Sequence, residues 1–216
     1  MKKIAIVLAG CGVYDGAEIH ESTLSMLAIA KNNASYDIFA PDIQQHHVIN
    51  HITGEEMQET RNVLVESARI ARGKIQTLSE FSADAYDGLL IPGGFGAAKN
   101  LSDWAFKGPD GNVLPEVARV IREMADAGKP IGALCISPVL IVKTLEGARV
   151  TIGSDSDTAG AIEKTGATHV TTTHGEVVMD EKYNLFTTPC YMLDATITQI
   201  ADGAENIVKA MLERMK

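Results

Sequence analysis

Ile4-Ala5-Ile6-Val7-Leu8-Ala9 runs into Gly10-Cys11-Gly12-Val13-Tyr14-Asp15-Gly16, and then into a stripe of Ile19, Leu24, Leu27 and Ala28. These read as a strand, a tight turn and a helix. The apolar run does not alternate with polar residues, which is the pattern of a strand buried on both faces. The stripe recurs at helical spacing over residues 17–31. The same grammar repeats downstream. Tyr36-Asp37-Ile38-Phe39-Ala40 stops at Pro41. Gly88-Leu89-Leu90-Ile91 stops at Pro92-Gly93-Gly94, and Ile131-Gly132-Ala133-Leu134 delivers Cys135. Residues 44–54 are polar and His-bearing, with no clean period. Helices are predicted over 59–71, 114–127, 136–145, 155–165 and 193–215, with Pro138 in a first turn, where its missing N–H is harmless. Short strands are predicted over 149–152 and 169–171. Val177-Val178-Met179 and Leu185-Phe186-Thr187-Thr188 read as a hairpin. With no linker or repeat, the β-α alternation predicts a single α/β domain over residues 1–216, doubly wound around a mostly parallel sheet.

Composition narrows the function classes. The 216 residues carry 19 Lys+Arg against 28 Asp+Glu, a formal charge of −9. An acidic chain with no basic cluster is a poor polyanion binder, so nucleic acid is not expected. No apolar run approaches a membrane span, and Gly10-Cys11-Gly12 ends the first one too early for a secretory segment, so no membrane role is expected. Three Cys are not a disulfide framework. A reducing, cytoplasmic location is the resulting expectation.

In doubly wound sheets ligands sit at the carboxyl ends of the strands, so chemistry is sought in three strand-ending turns. The first, Gly10 to Gly16, begins like a dinucleotide fingerprint. Asp15 stands where the third Gly is needed and would set a carboxylate against a pyrophosphate. The helix that follows opens Ala17-Glu18-Ile19-His20-Glu21. The helix dipole alone accounts for Glu18. Glu21 lies deeper, beside the apolar side, and is the candidate for a buried, protonated acid. The second turn, Pro92-Gly93-Gly94-Phe95-Gly96, leaves backbone N–H groups free to face a ligand. The third, Gly132-Ala133-Leu134-Cys135-Ile136-Ser137-Pro138, sets a nucleophile on a sharp strand-to-helix turn, with Ser137 in place of the second Gly of G-x-S-x-G. At a helix N-terminus Cys135 is expected to be the one thiol with a pKa lowered from the free value of about 8.5. The same N–H groups, with one from Gly94, can hold an oxyanion.

Together the three turns resemble the ThiJ/PfpI superfamily: Ala17-Glu18-x-x-Glu21, Pro92-Gly93-Gly94 with Ala98-x-Asn100-Leu101-Ser102 behind it, and Cys135 at an elbow. Cys11-Gly12-Val13-Tyr14-Asp15-Gly16, Glu59-Thr60-Arg61-Asn62-Val63-Leu64 and Gly93-Gly94-Phe95-Gly96-Ala97-Ala98-Lys99-Asn100 look like its ElbB-like branch, the isoprenoid biosynthesis glyoxalases. The likeness runs from Lys3 to the final helix. It implies a flavodoxin-like three-layer α/β/α sandwich, a homodimer, and glyoxalase activity without glutathione, cofactor or metal. Carried over, Cys135 is the nucleophile, Glu21 its hydrogen-bonded partner and Glu18 a second acid. Gly94 and Ile136, with Gly93 beside them, form the oxyanion and substrate-binding set.

The departures restrict the chemistry. Protease-like members place His directly after the nucleophile, where this chain has Ile136. Other members bring a His from the next strand, where this chain reads Thr151-Ile152-Gly153. A Cys-His triad is therefore not expected, and His174 reads as a solvated loop residue. His46, His47 and His51 fit no regular metal spacing. Cys11 and Cys190 read as separate thiols, and Arg61, Arg69 and Arg72 as a solvated face. The expected reaction converts glyoxal to glycolate. A redox-sensing or partner-binding protein, and a deglycase or amide hydrolase, are the rivals, since all need the same cysteine.

Overall fold

A computed structural model describes residues 1–215. The strands are β1 (Lys3–Val7), β2 (Ser35–Ala40), β3 (Gln76–Thr77), β4 (Gly88–Ile91), β5 (Ile131–Leu134), β6 (Arg149–Val150), β7 (Thr168–His169), β8 (Val178–Asp180) and β9 (Leu185–Thr188). The helices are α1 (Ile19–Lys31), α2 (Val63–Ile70), α3 (Phe95–Lys99), α4 (Trp104–Lys107), α5 (Pro115–Asp126), α6 (Pro138–Val142), α7 (Ser156–Glu163) and α8 (Ile197–Arg214).

Seven strands form one sheet in the order β3-β2-β1-β4-β5-β9-β8, and β6 and β7 pair separately. All neighbours in the large sheet are parallel except β8 and β9, the predicted hairpin. Residues 4–9 are at most 1% exposed, as an unalternating apolar run requires. From β1 the chain winds outward to β2 and β3, then returns to β4 and winds the other way. The strand order thus reverses between β1 and β4, and the crevice above their carboxyl ends is where such sheets hold ligands. α1 packs against α8, which lies on β5 and β9, while α5 packs on β4 and β5. This is the expected flavodoxin-like α/β/α arrangement.

Several elements differ from the sequence reading. The buried face of α1 is Glu21, Ser22, Ser25, Ala28 and Ile29, whereas Ile19 and Leu27 of the predicted stripe are exposed. Leu24 and Ala28 of that stripe do meet the core, and the polar Glu21, Ser22 and Ser25 take the other buried positions beside Ile29. α2 begins at Val63 rather than 59, because the Asn62 side chain accepts from the Val65 N–H and caps it. α6 spans five residues instead of the predicted ten, with Pro138 in its first turn as expected.

Candidate active site

The turns after β1, β4 and β5 meet at this crevice. Cys135 follows β5 at φ 59°, a left-handed backbone that a non-glycine residue adopts only under constraint. Its N–H donates to Thr188 O at 3.0 Å. The Ser137 hydroxyl donates to Pro92 O at 2.7 Å and ties the elbow to the turn after β4. Ser137 thus has a structural reason to stand where the elbow pattern has Gly.

Glu21 is fully buried on the first turn of α1. Its Oε2 accepts from the Gly93 N–H at 2.8 Å and its Oε1 from the Tyr191 N–H at 3.2 Å. Its carboxyl also shares a hydrogen bond with the Cys135 thiol. Gly93 is the floor of this pair. A methyl group there would press on Cys135 Cβ and lie 2.7 Å from Glu21 Oε2 and 2.9 Å from Cys135 Sγ. Glu18 caps α1, its Oε2 accepting from the Glu21 N–H at 2.7 Å, while the Glu18 N–H donates to Gly93 O at 2.7 Å. Glu18 therefore positions Glu21, as its first-turn placement foretells.

Burial, and after it the charge of Glu18, pushes the Glu21 carboxyl up to about 8, against the lowering pull of the Tyr191, Gly93 and Cys135 hydrogen bonds. Burial, followed by the Glu21 charge, also pushes the Cys135 thiol well above its ordinary value, although the Ile136 N–H pulls it down. The expected lowered thiol is corrected here. A five-residue helix offers a short dipole, and Cys135 is only 6% exposed, so desolvation wins. The two groups share one buried site, so the charge of either opposes ionisation of the other.

Of the oxyanion set, the Ile136 N–H lies on the Cys135 sulfur. The Gly93 N–H is committed to Glu21, so it orients the acid instead of holding an oxyanion. Gly94 has φ 102°, and a methyl group there would collide with Gly16 O and lie 2.7 Å from Glu18 N. Only a glycine lets the turns after β1 and β4 approach this closely.

Tyr191 and Asn100 complete the site, and sequence reasoning assigned neither this role. Tyr191 acts through its backbone N–H, which leaves no signal in residue type, while its hydroxyl pairs with His20 Nδ1 at 2.8 Å. The Asn100 amide donates to Ala9 O at 2.9 Å and Asp15 O at 2.8 Å, locking the first turn. His174 is exposed, with Nε2 3.0 Å from Asp194 O. His46 and His47 pack around Phe106, while His51 stacks on Tyr14. Cys190 is buried, and its sulfur lies against Gly203 of α8. Cys11 is part-exposed among Glu66, Arg69, Asp15 and Arg61, and Arg61 turns to Glu59 at 2.5 Å. A cavity of about 530 Å³ borders the site, lined in part by Phe95 and Ile136. A larger one, of about 830 Å³, lies away from it against Tyr36, Arg72 and Lys74.

Residues 13–189 match the DJ-1/PfpI family. The human protein named glutamine amidotransferase-like class 1 domain-containing protein 3, mitochondrial, is 46% identical over 98% of this chain and 82% of its own. The zebrafish ES1 protein, mitochondrial, is 34% identical over 97% of this chain and 84% of its own. Among solved structures, the isoprenoid biosynthesis protein with amidotransferase-like domain from Ehrlichia chaffeensis has a TM-score of 0.93 at 38% identity, with both chains fully covered. The mitochondrial names overturn the cytoplasmic expectation. That expectation rested on unpaired thiols and a missing secretory segment, and neither feature separates the cytosol from another reducing compartment. The elbow cysteine, its buried acid and the glycine turn between them agree with these matches over most of the chain, which belongs to the DJ-1/PfpI family, the superfamily that the three turns resemble.

Proposed function

We propose that the protein is a glyoxalase that converts glyoxal to glycolate with no cofactor or metal. The observation that carries this reading is the fully buried Glu21 carboxyl, hydrogen-bonded to the Cys135 thiol and held by the Gly93 and Tyr191 N–H groups. Glu21 takes the thiol proton as sulfur adds to one carbonyl carbon and passes it to the new oxyanion, which gives a hemithioacetal and restores the carboxylate. The N–H groups of Gly94 and Ile136 hold the developing oxyanion. Glu21 then moves a proton from the thioacetal carbon to its neighbour through an enediol, which leaves a glycolyl thioester. Water hydrolyses the thioester to glycolate and returns the thiol, so the net reaction is glyoxal plus water to glycolate plus a proton. No imidazole takes part, and turnover is expected to be slow, because a relay partner is worth orders of magnitude in rate.

The test is steady-state formation of glycolate from glyoxal, with Cys135→Ser as the background. Turnover by the wild type, unchanged by EDTA and absent from the variant, is the expected result. Loss with EDTA and recovery with zinc would exclude the mechanism.

The homodimer belongs to the same proposal, as does the single domain over residues 1–216. Support for the dimer comes from the family resemblance and from α1, whose Ile19 and Leu27 are 44% and 47% exposed on the face turned from the core. A sedimentation coefficient of a dimer at micromolar concentration is expected, and a monomer there refutes this assembly.

A further inference from the structure

The cavity beside the candidate site is far larger than glyoxal needs. Its volume of about 530 Å³ is in the range that encloses drug-sized ligands, roughly 300–1,000 Å³. Its walls include Tyr14 after β1, Phe95 and Lys99 on α3, Trp104 and Phe106 on α4, and Ile136 after the nucleophile. Four of the chain's eleven aromatic residues thus surround one hollow. Tyr14, Phe95 and Phe106 are 42%, 48% and 47% exposed. Singly exposed apolar residues are ordinary, but rings gathered around one concavity mark a binding surface.

Its position ties the cavity to the chemistry. Phe95 directly follows Gly94 and Ile136 directly follows Cys135, so two of the lining residues adjoin the candidate site. Among the described residues no carboxylate lines it. Its one charged lining residue is Lys99, whose Nζ donates to Tyr14 O at 2.8 Å and lies 5.6 Å from the Phe95 ring centroid. That lining opposes a cationic ligand and accepts a neutral apolar one.

We infer that this cavity is a subsite for a substrate arm, and that the preferred substrate is a 2-oxoaldehyde bearing an aromatic or similarly bulky apolar group. The inference rests on the glyoxalase reading, because it takes the reacting carbonyl to lie between Cys135 and the two N–H groups. The chemistry is the same with the arm attached. Sulfur adds to the aldehyde carbon, the proton of that carbon moves to the former ketone carbon, and water releases a 2-hydroxy acid. Phenylglyoxal plus water gives mandelate plus a proton, and no other reactant is needed.

Trp104 is the only tryptophan and forms a wall of the cavity, so its fluorescence reports binding without turnover. Titration of the intact protein with mandelate and with glycolate compares the two products. The dissociation constant for mandelate is expected to be lower by about tenfold or more, the scale of discrimination that an apolar pocket gives. Phe106→Ala should weaken mandelate several-fold, and Phe106→Leu by less. Phe95→Leu serves as a second variant if the first does not fold. In turnover, kcat/KM for phenylglyoxal should exceed that for glyoxal by about tenfold. Equal binding of the two products, or mandelate binding untouched by the Phe106 and Phe95 variants, overturns the arm subsite even where glyoxal is turned over. Selective mandelate binding with neither aldehyde turned over retains the subsite and overturns the glyoxalase reading.

Discussion

Glu21→Gln is expected to lower kcat/KM for glyoxal by about 10²–10⁴-fold, the usual contribution of a positioned general acid–base group. Glutamine copies the shape of the protonated carboxyl and can still accept from the Gly93 N–H, so loss of the titrating proton is what the variant isolates. The wild-type pH profile gives a second readout. With the Glu21 carboxyl pushed up to about 8, the base form that takes the thiol proton is scarce at pH 6.5 and abundant at 8.5. The wild-type kcat/KM should therefore climb by about tenfold or more across that interval, and the variant should lose the climb. Stability must move the opposite way. A carboxyl whose pKa is raised in the folded state supports folding below its unfolded pKa, and that support is lost as pH rises through about 8. The variant lacks this penalty, so its Tm should exceed the wild type's by a margin that widens from pH 5 to pH 8. A flat wild-type profile, or a margin that shrinks as pH rises, contradicts the assignment of Glu21.

How much of the fold is legible in the sequence follows from where the determining forces act. β1, β4 and β5 are apolar runs ended by Gly or Pro, so their strands and the chemistry at their ends were visible in residue type alone. The hairpin of β8 and β9 is legible as two apolar runs on either side of a short polar loop. α3 and α4, of five and four residues, were not predicted, because one helical turn shows no period. The face of α1 is legible only in part: Leu24 and Ala28 of its stripe meet the core, whereas no hydrophobic pattern marks the buried Glu21, Ser22 and Ser25. The Cys135 thiol was misjudged for a related reason. A sequence places a thiol at a helix N-terminus but cannot weigh a five-residue dipole against full burial beside a carboxyl. One practical consequence concerns alkylation. Cys11 is the most exposed of the three thiols, so iodoacetamide should reach it before Cys135. Labelling order therefore reports access rather than the nucleophile.

Gly93→Ala should abolish turnover more completely than its small added volume suggests. The new methyl would press on Cys135 Cβ and lie 2.7 Å from Glu21 Oε2 and 2.9 Å from Cys135 Sγ. Each contact is well inside van der Waals separation, and none of the three atoms is the end of a flexible exposed chain. Glu21 is held by the Gly93 and Tyr191 N–H groups, and Cys135 sits on a left-handed backbone tied to Thr188 O. Relief therefore needs the carboxyl and the sulfur to part, or the turn after β4 to move away from both. Parting by about 1 Å is enough to lose about 10²-fold in a reaction that depends on alignment, and loss of the shared proton adds to that. Overpacking of a filled interior also destabilises by about 1–3 kcal/mol, so Tm should fall as well. The two effects can be separated. Far-UV circular dichroism at 20 °C should match the wild type, while glycolate formation falls below the Glu21→Gln rate. Wild-type turnover by folded Gly93→Ala would mean that Cys135 and Glu21 do not act as a pair across this glycine.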